Sequence, residues 1–179
     1  MDERKWIERI LAGDTQSFSC LVAKYEKMAY TIALRILENR EEAEEAVQDA
    51  FVKMYRALSD FHFDSKFSTW FYRIVYRTAL TALRQQRMFV SYEEAGPVDL
   101  SNDEVESATA LLEREDRKEM IARTLKKLPA DEALLLTLYY LEECSVEEIC
   151  QITELSASNV KVKLFRGRKR FYEVLQDKM

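Results

Sequence analysis

The sequence predicts an all-α protein: two small helical domains joined by an acidic linker, the C-terminal one containing a helix-turn-helix. Three observations carry this expectation. Only three glycines and two prolines punctuate 179 residues, whereas strands and tight turns need those residues often. Apolar residues recur at three- and four-residue steps through most of the chain, the period of a helix with one buried face. Residues 91–108 break that pattern with Gly96-Pro97, many acids and few large apolar side chains, the composition of a linker. It separates an N-terminal domain, 1–90, from a C-terminal one, 109–179. Hydrophobic residues at 47% and charged residues at 33% are those of a globular chain.

In the first domain, Asp14-Thr15-Gln16-Ser17 supplies helix-capping residues. Phe18, Leu21, Val22, Tyr25, Ala29, Ile32, Ala33, Ile36 and Leu37 then mark an amphipathic helix. A second helix begins near Arg40, with Ala43, Ala46, Val47, Ala50, Phe51, Met54, Tyr55 and Leu58 on one face. Its opening acids, Glu41, Glu42, Glu44 and Glu45, suit the positive end of the helix dipole. Ser59–Ser65 reads as a short polar-aromatic break. A third helix, from about Ser68 to Arg87, carries Trp70, Phe71, Ile74, Val75 and Leu83.

Beyond the linker, helical pattern resumes near Thr109 and runs to Lys127. Pro129 is expected in the first turn of the next helix, about Ala130–Leu141, where its missing N–H costs nothing. Ser145 can cap a short helix, Val146–Ile152, and Ser156 can cap the last, Ala157 to about Leu175.

The net charge of −5 hides an uneven distribution: residues 61–90 carry +4 and residues 156–179 carry +5, while 1–60, 91–120 and 121–155 carry −3, −7 and −4. Two short basic islands in an acidic background fit a protein that touches nucleic acid in two places and something else elsewhere. Solvated helix faces account equally well for either island alone.

Other chemistries find little support. Cys20, Cys144 and Cys150 are odd in number and form no CxxC, and His62 is the one histidine, so neither a zinc site nor another cofactor is expected. The thiols read as reduced and partly buried, and no neighbour of Cys144 or Cys150 in sequence would activate them. A di-iron site on Glu41, Glu42, Glu44, Glu45 and Asp49 would need Glu-x-x-His pairs, and His62 lies outside that pattern. No nucleophile–base pair or phosphate-cradling glycine loop is visible, so no catalytic residue is assigned. No apolar run reaches the ~20 residues of a membrane span, and Met1-Asp2-Glu3-Arg4-Lys5 is charged where a signal peptide would turn apolar. A cytoplasmic protein that does not insert into membranes is expected.

Ser145–Arg170 has the pattern of a helix-turn-helix. Val146, Ile149 and Cys150 give the first helix an inner face, Leu155 turns inward at the connection, and Val160 and Leu164 lie one turn apart on the second helix. Such a lock sets the second helix steeply enough to enter a major groove. Its outer face shows Ser158, Asn159, Lys161, Lys163 and Arg166. Small polar residues near the helix start can reach base edges, and the cations beyond, through Arg166-Gly167-Arg168-Lys169-Arg170, can neutralise phosphates. A helical hairpin with a basic solvated edge is the plainer reading. In the first domain, Phe61-His62-Phe63-Asp64-Ser65-Lys66-Phe67-Ser68-Thr69-Trp70-Phe71-Tyr72-Arg73-Ile74 alternates rings with basic and hydroxyl side chains. Unpaired bases stack on rings beside cations. Core packing is the competing use, and Trp70, Phe71 and Ile74 are expected to be partly core.

These residues carry a family resemblance. Glu42-Ala43-Glu44-Glu45-Ala46-Val47-Gln48-Asp49-Ala50-Phe51 followed by Phe67-Ser68-Thr69-Trp70-Phe71-Tyr72-Arg73-Ile74 resembles region two of the extracytoplasmic-function sigma factors. Leu128-Pro129, Tyr140-Leu141-Glu142-Glu143-Cys144-Ser145-Val146-Glu147-Glu148-Ile149 and Ser156-Ala157-Ser158-Asn159-Val160-Lys161-Val162-Lys163-Leu164 resemble their region four. The likeness spans residues 14–87 and 109–175. It implies a non-enzymatic factor that docks on RNA polymerase core and directs initiation at promoter DNA, and it allows an anti-sigma partner. Gln48, Asp49, Val52, Lys53 and Arg56 would grip the coiled coil of the polymerase largest subunit. The loop Asp60–Lys66, with Asp60, Phe63, Asp64 and Lys66, would hold a base flipped from the non-template strand of the minus-ten element, at a cost its pocket must offset. Thr69, Trp70, Arg73 and Arg77 would line the strand-separation surface. Ser158, Asn159, Lys161, Lys163, Arg166, Arg168 and Lys169 would read the minus-thirty-five element. The acidic linker would thread the polymerase cleft in place of nucleic acid.

Three departures stand out. Arg77 occupies a position where Asn is frequent, and an arginine there suits phosphate rather than a base. Val162 replaces a common Ser. Glu142-Glu143-Cys144 replaces a stretch usually richer in glycine. Two other functions compete. A single-site helix-turn-helix repressor or activator leaves Phe61–Arg77 without a role. A structural adaptor would bind a second protein along Ala43–Leu58.

Overall fold

The computed structural model describes residues 3–90 and 112–176, with side chains described for 3–86 and 119–176. The expected linker, 91–108, and the expected helix start at Thr109 lie outside the described residues. Eight α-helices are present among the described residues, and no strand: α1 (Glu3–Leu11), α2 (Thr15–Leu37), α3 (Arg40–Arg56), α4 (Phe67–Val90), α5 (Leu112–Leu125), α6 (Ala130–Tyr140), α7 (Val146–Thr153) and α8 (Ala157–Gln176). A single 3₁₀ turn, Leu58–Asp60, leads into the loop before α4. None of these helices is long and apolar enough to cross a membrane.

Helix starts follow their capping chemistry. The Asp14 carboxylate accepts the Gln16 N–H at 2.9 Å and the Ser17 hydroxyl at 3.0 Å. Asn39 accepts the Glu42 N–H at 3.2 Å. Ser145 and Glu148 form a reciprocal capping box, Glu148 N–H to Ser145 Oγ at 3.1 Å and Ser145 N–H to Glu148 Oε2 at 2.8 Å, which satisfies two otherwise orphan donors. Ser156 Oγ accepts the Asn159 N–H at 3.3 Å at the start of α8. Pro129 departs from expectation. Its φ of −51° and ψ of 137° make it the N-cap of α6 rather than a first-turn residue, because its extended ψ turns the chain before the helix begins.

The helix α1 was not expected. It packs on α2 through the buried Ile7 and Ile10. In the N-terminal domain α2, α3 and α4 pack pairwise around Leu21, Ile32, Ala50, Met54, Phe71 and Val75, all fully or almost fully buried. The C-terminal domain packs α8 across α5, α6 and α7 over Leu135, Leu138, Ile149, Ile152, Val160 and Leu164.

Gly167 sits where α8 meets α6. A Cβ there would lie 3.2 Å from Leu136 Cδ1 and 3.3 Å from Glu132 Cβ, tight enough that the neighbours would have to move. The glycine thus lets two helices approach closely at a cost of ~1 kcal/mol in helix propensity.

The two domains touch. Helix α7 lies against α4, and α6 against α2.

Candidate nucleic-acid interface

The loop Phe61–Lys66 and the start of α4 build one surface. Phe61 is buried and packs at a tilt against Trp70, with ring centroids 5.0 Å apart. Phe63 lies 4.7 Å from Phe61, remains 39% exposed, and carries the Arg4 guanidinium 4.7 Å over its ring. A ladder of rings therefore links half-buried Trp70, through the buried Phe61, to exposed Phe63, which lies under a cation. Phe63 holds φ at +61°, a left-handed backbone that costs a bulky residue ~1–3 kcal/mol and tends to cluster at ligand clamps. Asp60, His62, Asp64 and Lys66 are exposed around this ring.

Along α4 the assigned residues separate. Trp70 and Arg73 are half-buried and Arg77 is exposed. Thr69 is only 2% exposed, and its hydroxyl donates to Glu148 Oε1 of α7 at 3.3 Å. The expected core share holds for all three: Phe71 is fully buried, and Trp70 and Ile74 are half-buried and pack against the same core. Four contacts tie this surface to the other domain. Besides Thr69, Lys66 Nζ lies 3.0 Å from Glu148 Oε1, Tyr72 OH donates to Glu142 Oε2 at 2.8 Å, and Arg77 Nε donates to Glu154 Oε1 at 2.9 Å.

These neighbours move the titrations. Burial raises the Glu148 carboxyl, but the Ser145 N–H, the Lys66 ammonium and the Thr69 hydroxyl outweigh it and hold the group below its ordinary value. Burial, then Glu142, pushes the Tyr72 phenol far up. Burial and the Glu148 and Glu142 charges push the Cys144 thiol up to about 11, which keeps it protonated and unreactive.

A second surface is the outer face of α3. Gln48, Asp49, Val52, Lys53 and Arg56 are all exposed. Lys53 Nζ donates to Thr78 Oγ1 on α4 at 3.3 Å, which fixes the ammonium beside the α3–α4 groove. Val52 at 48% and Tyr55 at 47% exposure add apolar area to this face.

The third surface is α8. Val160 and Leu164 are buried beneath it and Leu155 packs against the same core, as expected of a helix-turn-helix. Ser158, Asn159, Lys161, Arg166, Arg168 and Lys169 point outward. Lys163 is half-buried and pairs with Asp131 of α6, so part of its charge is already balanced. Val162 and Phe165, at 46% and 64% exposure, lie on the same helix.

Arg170 breaks from the basic run. Its Nη1 lies 3.0 Å from Glu132 Oε1, and Glu132 is 6% exposed, its second oxygen without a hydrogen-bond partner among the described residues. Removing Arg170 would leave a buried carboxylate uncompensated. Arg170→Ala is expected to cost the C-terminal domain about 1–3 kcal/mol, and Arg168→Ala close to nothing, as read by thermal unfolding of the full chain.

Sequence reasoning missed two features. One is the Arg4–Phe63 contact, which depends on α1. The other is an apolar groove between α5, α6 and α8, lined by Ile121, Leu125, Leu136, Tyr140, Phe171 and Tyr172. Its signal was available: Tyr139, Tyr140, Leu141 and Tyr172 are large apolar residues close in sequence to the groove, and they stay 38–65% exposed.

Comparison with known proteins agrees with this geometry. Residues 21–88 match the family described as Sigma-70 region 2, and residues 118–171 match Sigma-70, region 4. The RNA polymerase sigma-H factor of Pseudomonas aeruginosa is 32% identical over 97% of this chain and 94% of its own length. The ECF RNA polymerase sigma-E factor of Escherichia coli K12 is 31% identical over 91% of this chain and 88% of its own. Among solved structures, the sigma factor RpoE of Bartonella quintana, in complex with the anti-sigma factor NepR, shares the fold with a TM-score of 0.73 at 18% identity, over 90% of this chain and 98% of that one. CnrH, in complex with the cytosolic domain of CnrY, does so with a TM-score of 0.64 at 20% identity, over 99% of each chain. An aromatic, cationic helix start in one domain and a capped helix-turn-helix in the other, in the order and spacing of regions two and four, place the chain in the extracytoplasmic-function branch of the sigma-70 family of RNA polymerase sigma factors, which direct promoter-specific transcription initiation.

Proposed function

We propose that the three surfaces divide the work of initiation. The N-terminal domain, 1–90, binds polymerase core through Gln48, Asp49, Val52, Lys53 and Arg56. It captures opened minus-ten strand with Asp60, Phe63, Asp64, Lys66, Thr69, Trp70, Arg73 and Arg77. The C-terminal domain, 109–179, reads the minus-thirty-five duplex with Ser158, Asn159, Lys161, Lys163, Arg166, Arg168 and Lys169. The segment 91–108 joins them through the polymerase cleft. The protein works in the cytoplasm and performs no bond chemistry itself. An anti-sigma factor is a further partner, as NepR is for RpoE.

The observation that carries this reading is the ring ladder ending at Phe63. An exposed ring on a strained backbone under a guanidinium is a poor structural element and a good stacking platform for an unpaired base, each stack contributing ~1–3 kcal/mol. The solvated face of α8 supports the duplex half, since its small polar residues precede its cations along the helix.

The test is in vitro transcription with purified chain, bacterial core polymerase and genomic fragments. Start sites should appear only when the chain is added, and Arg166→Ala should weaken them. Tight duplex binding by the chain alone, with polymerase adding no start sites, would instead establish a self-sufficient helix-turn-helix regulator.

A further inference from the structure

Of the four polar contacts that tie α4 and the loop before it to the C-terminal domain, three fall on residues assigned to the minus-ten strand, and the fourth is at Tyr72 beside them. Lys66 and Thr69 meet Glu148, Tyr72 meets Glu142, and Arg77 meets Glu154. All three acids lie on α7 or the turns that flank it. The duplex-facing side chains Ser158, Asn159, Lys161 and Arg166 of α8 remain exposed.

We propose that α7 and its flanking turns form a built-in mimic of nucleic acid that occupies the minus-ten surface of the free chain. The Glu148 and Glu154 carboxylates sit where strand phosphates would sit, taking hydrogen bonds from the cations and hydroxyl that the strand needs, and Glu142 holds the neighbouring Tyr72. Thr69 is the sharpest case, because its 2% exposure leaves a strand no access until α7 withdraws. The free chain can then touch duplex but not opened strand. This inference rests on the assignment of Lys66, Thr69 and Arg77 to that strand.

The charge pairs have the strength of a releasable latch. The Lys66 and Arg77 side chains are 68% and 59% exposed in their pairs, so water and salt screen both. Contacts between domains that are polar and half-solvated separate readily. Polymerase would bind the two domains apart, and the same motion would bare Thr69.

Two of the acids can be altered without unmaking a helix. Glu148→Gln keeps an acceptor for the Ser145 N–H and so preserves the capping box of α7. Glu154 is the C-cap of α7 with φ at +61°, a conformation that asparagine tolerates well, so Glu154→Asn removes the charge without added strain.

The double variant Glu148→Gln/Glu154→Asn of the full chain is compared with the parent in three measurements. These are the radius of gyration from solution X-ray scattering, affinity for the non-template minus-ten strand of a promoter mapped by transcription, and affinity for the matching minus-thirty-five duplex. The variant is expected to expand, to bind the single strand about tenfold more tightly, and to bind duplex as the parent does. A variant that expands yet gains nothing for the strand overturns the proposal, and so does one as compact and strand-blind as the parent. The underlying assignment is read separately, from Lys66→Ala and Arg77→Ala in the complex with polymerase. If promoter opening there ignores both substitutions, the assignment fails and the mimic falls with it; if opening drops, only the mimic is at stake.

Discussion

A chain carrying Trp70→Ala is expected to open promoters with core polymerase roughly ten- to a hundredfold less efficiently than the parent, a loss of about 1–3 kcal/mol of stacking. The indole is half-buried, packed 5.0 Å from Phe61 and 5.6 Å from Phe67 by ring centroids, and so is held rigidly at the end of the ladder. A rigid ring gives up little side-chain entropy when a base stacks on it. Permanganate reactivity of unpaired thymines, measured at equal promoter occupancy, reports opening apart from binding. Trp70→Phe, which keeps a stacking face, should recover most of the signal. Opening that matches the parent in the alanine variant would remove the ring from the mechanism.

How much of this was legible depends on the range of each interaction. Caps were legible because a side chain and the N–H it accepts lie two or three residues apart: Asp14, Ser145 and Ser156 all behave as their spacing predicts. The helix α1 was overlooked although Ile7 and Ile10 lie one turn apart. The segment is short and opens on the charged residues Asp2–Lys5, so its helical period spans little more than two turns. Arg168 and Arg170 looked alike in a basic run. Two residues turn a helix by roughly 200°, so one arginine faces solvent and the other reaches the buried Glu132. Nothing near Gly167 in sequence marks it as a point of close approach, because the neighbours that exclude a Cβ, Glu132 and Leu136, are more than thirty residues away. The contacts between domains were least legible of all. Glu148 reads as a capping residue of α7, and its second role at Lys66 and Thr69 depends on a docking that no periodicity encodes.

Replacing Phe71 with alanine should have the largest effect on stability. The ring is fully buried and lies between 4.8 and 6.3 Å, centroid to centroid, from Phe51, Tyr25, Phe67 and Tyr72. Truncation leaves a void that four rings on three helices cannot all collapse into, at a cost of ~3–5 kcal/mol. That is a large share of the ~5–15 kcal/mol that holds a typical domain folded. The melting temperature of the N-terminal domain should fall by more than about 10 °C. Trp70 and Phe71 are adjacent in sequence yet about 100° apart around α4, which separates their phenotypes. Initiation lost through Phe71→Ala should follow the folded fraction and return on modest cooling. Initiation lost through Trp70→Ala should not, because the domain is already folded and the missing interaction is with the strand. If cooling rescued both variants alike, the two rings would share a purely structural role, and the strand platform would have to be sought elsewhere on the domain.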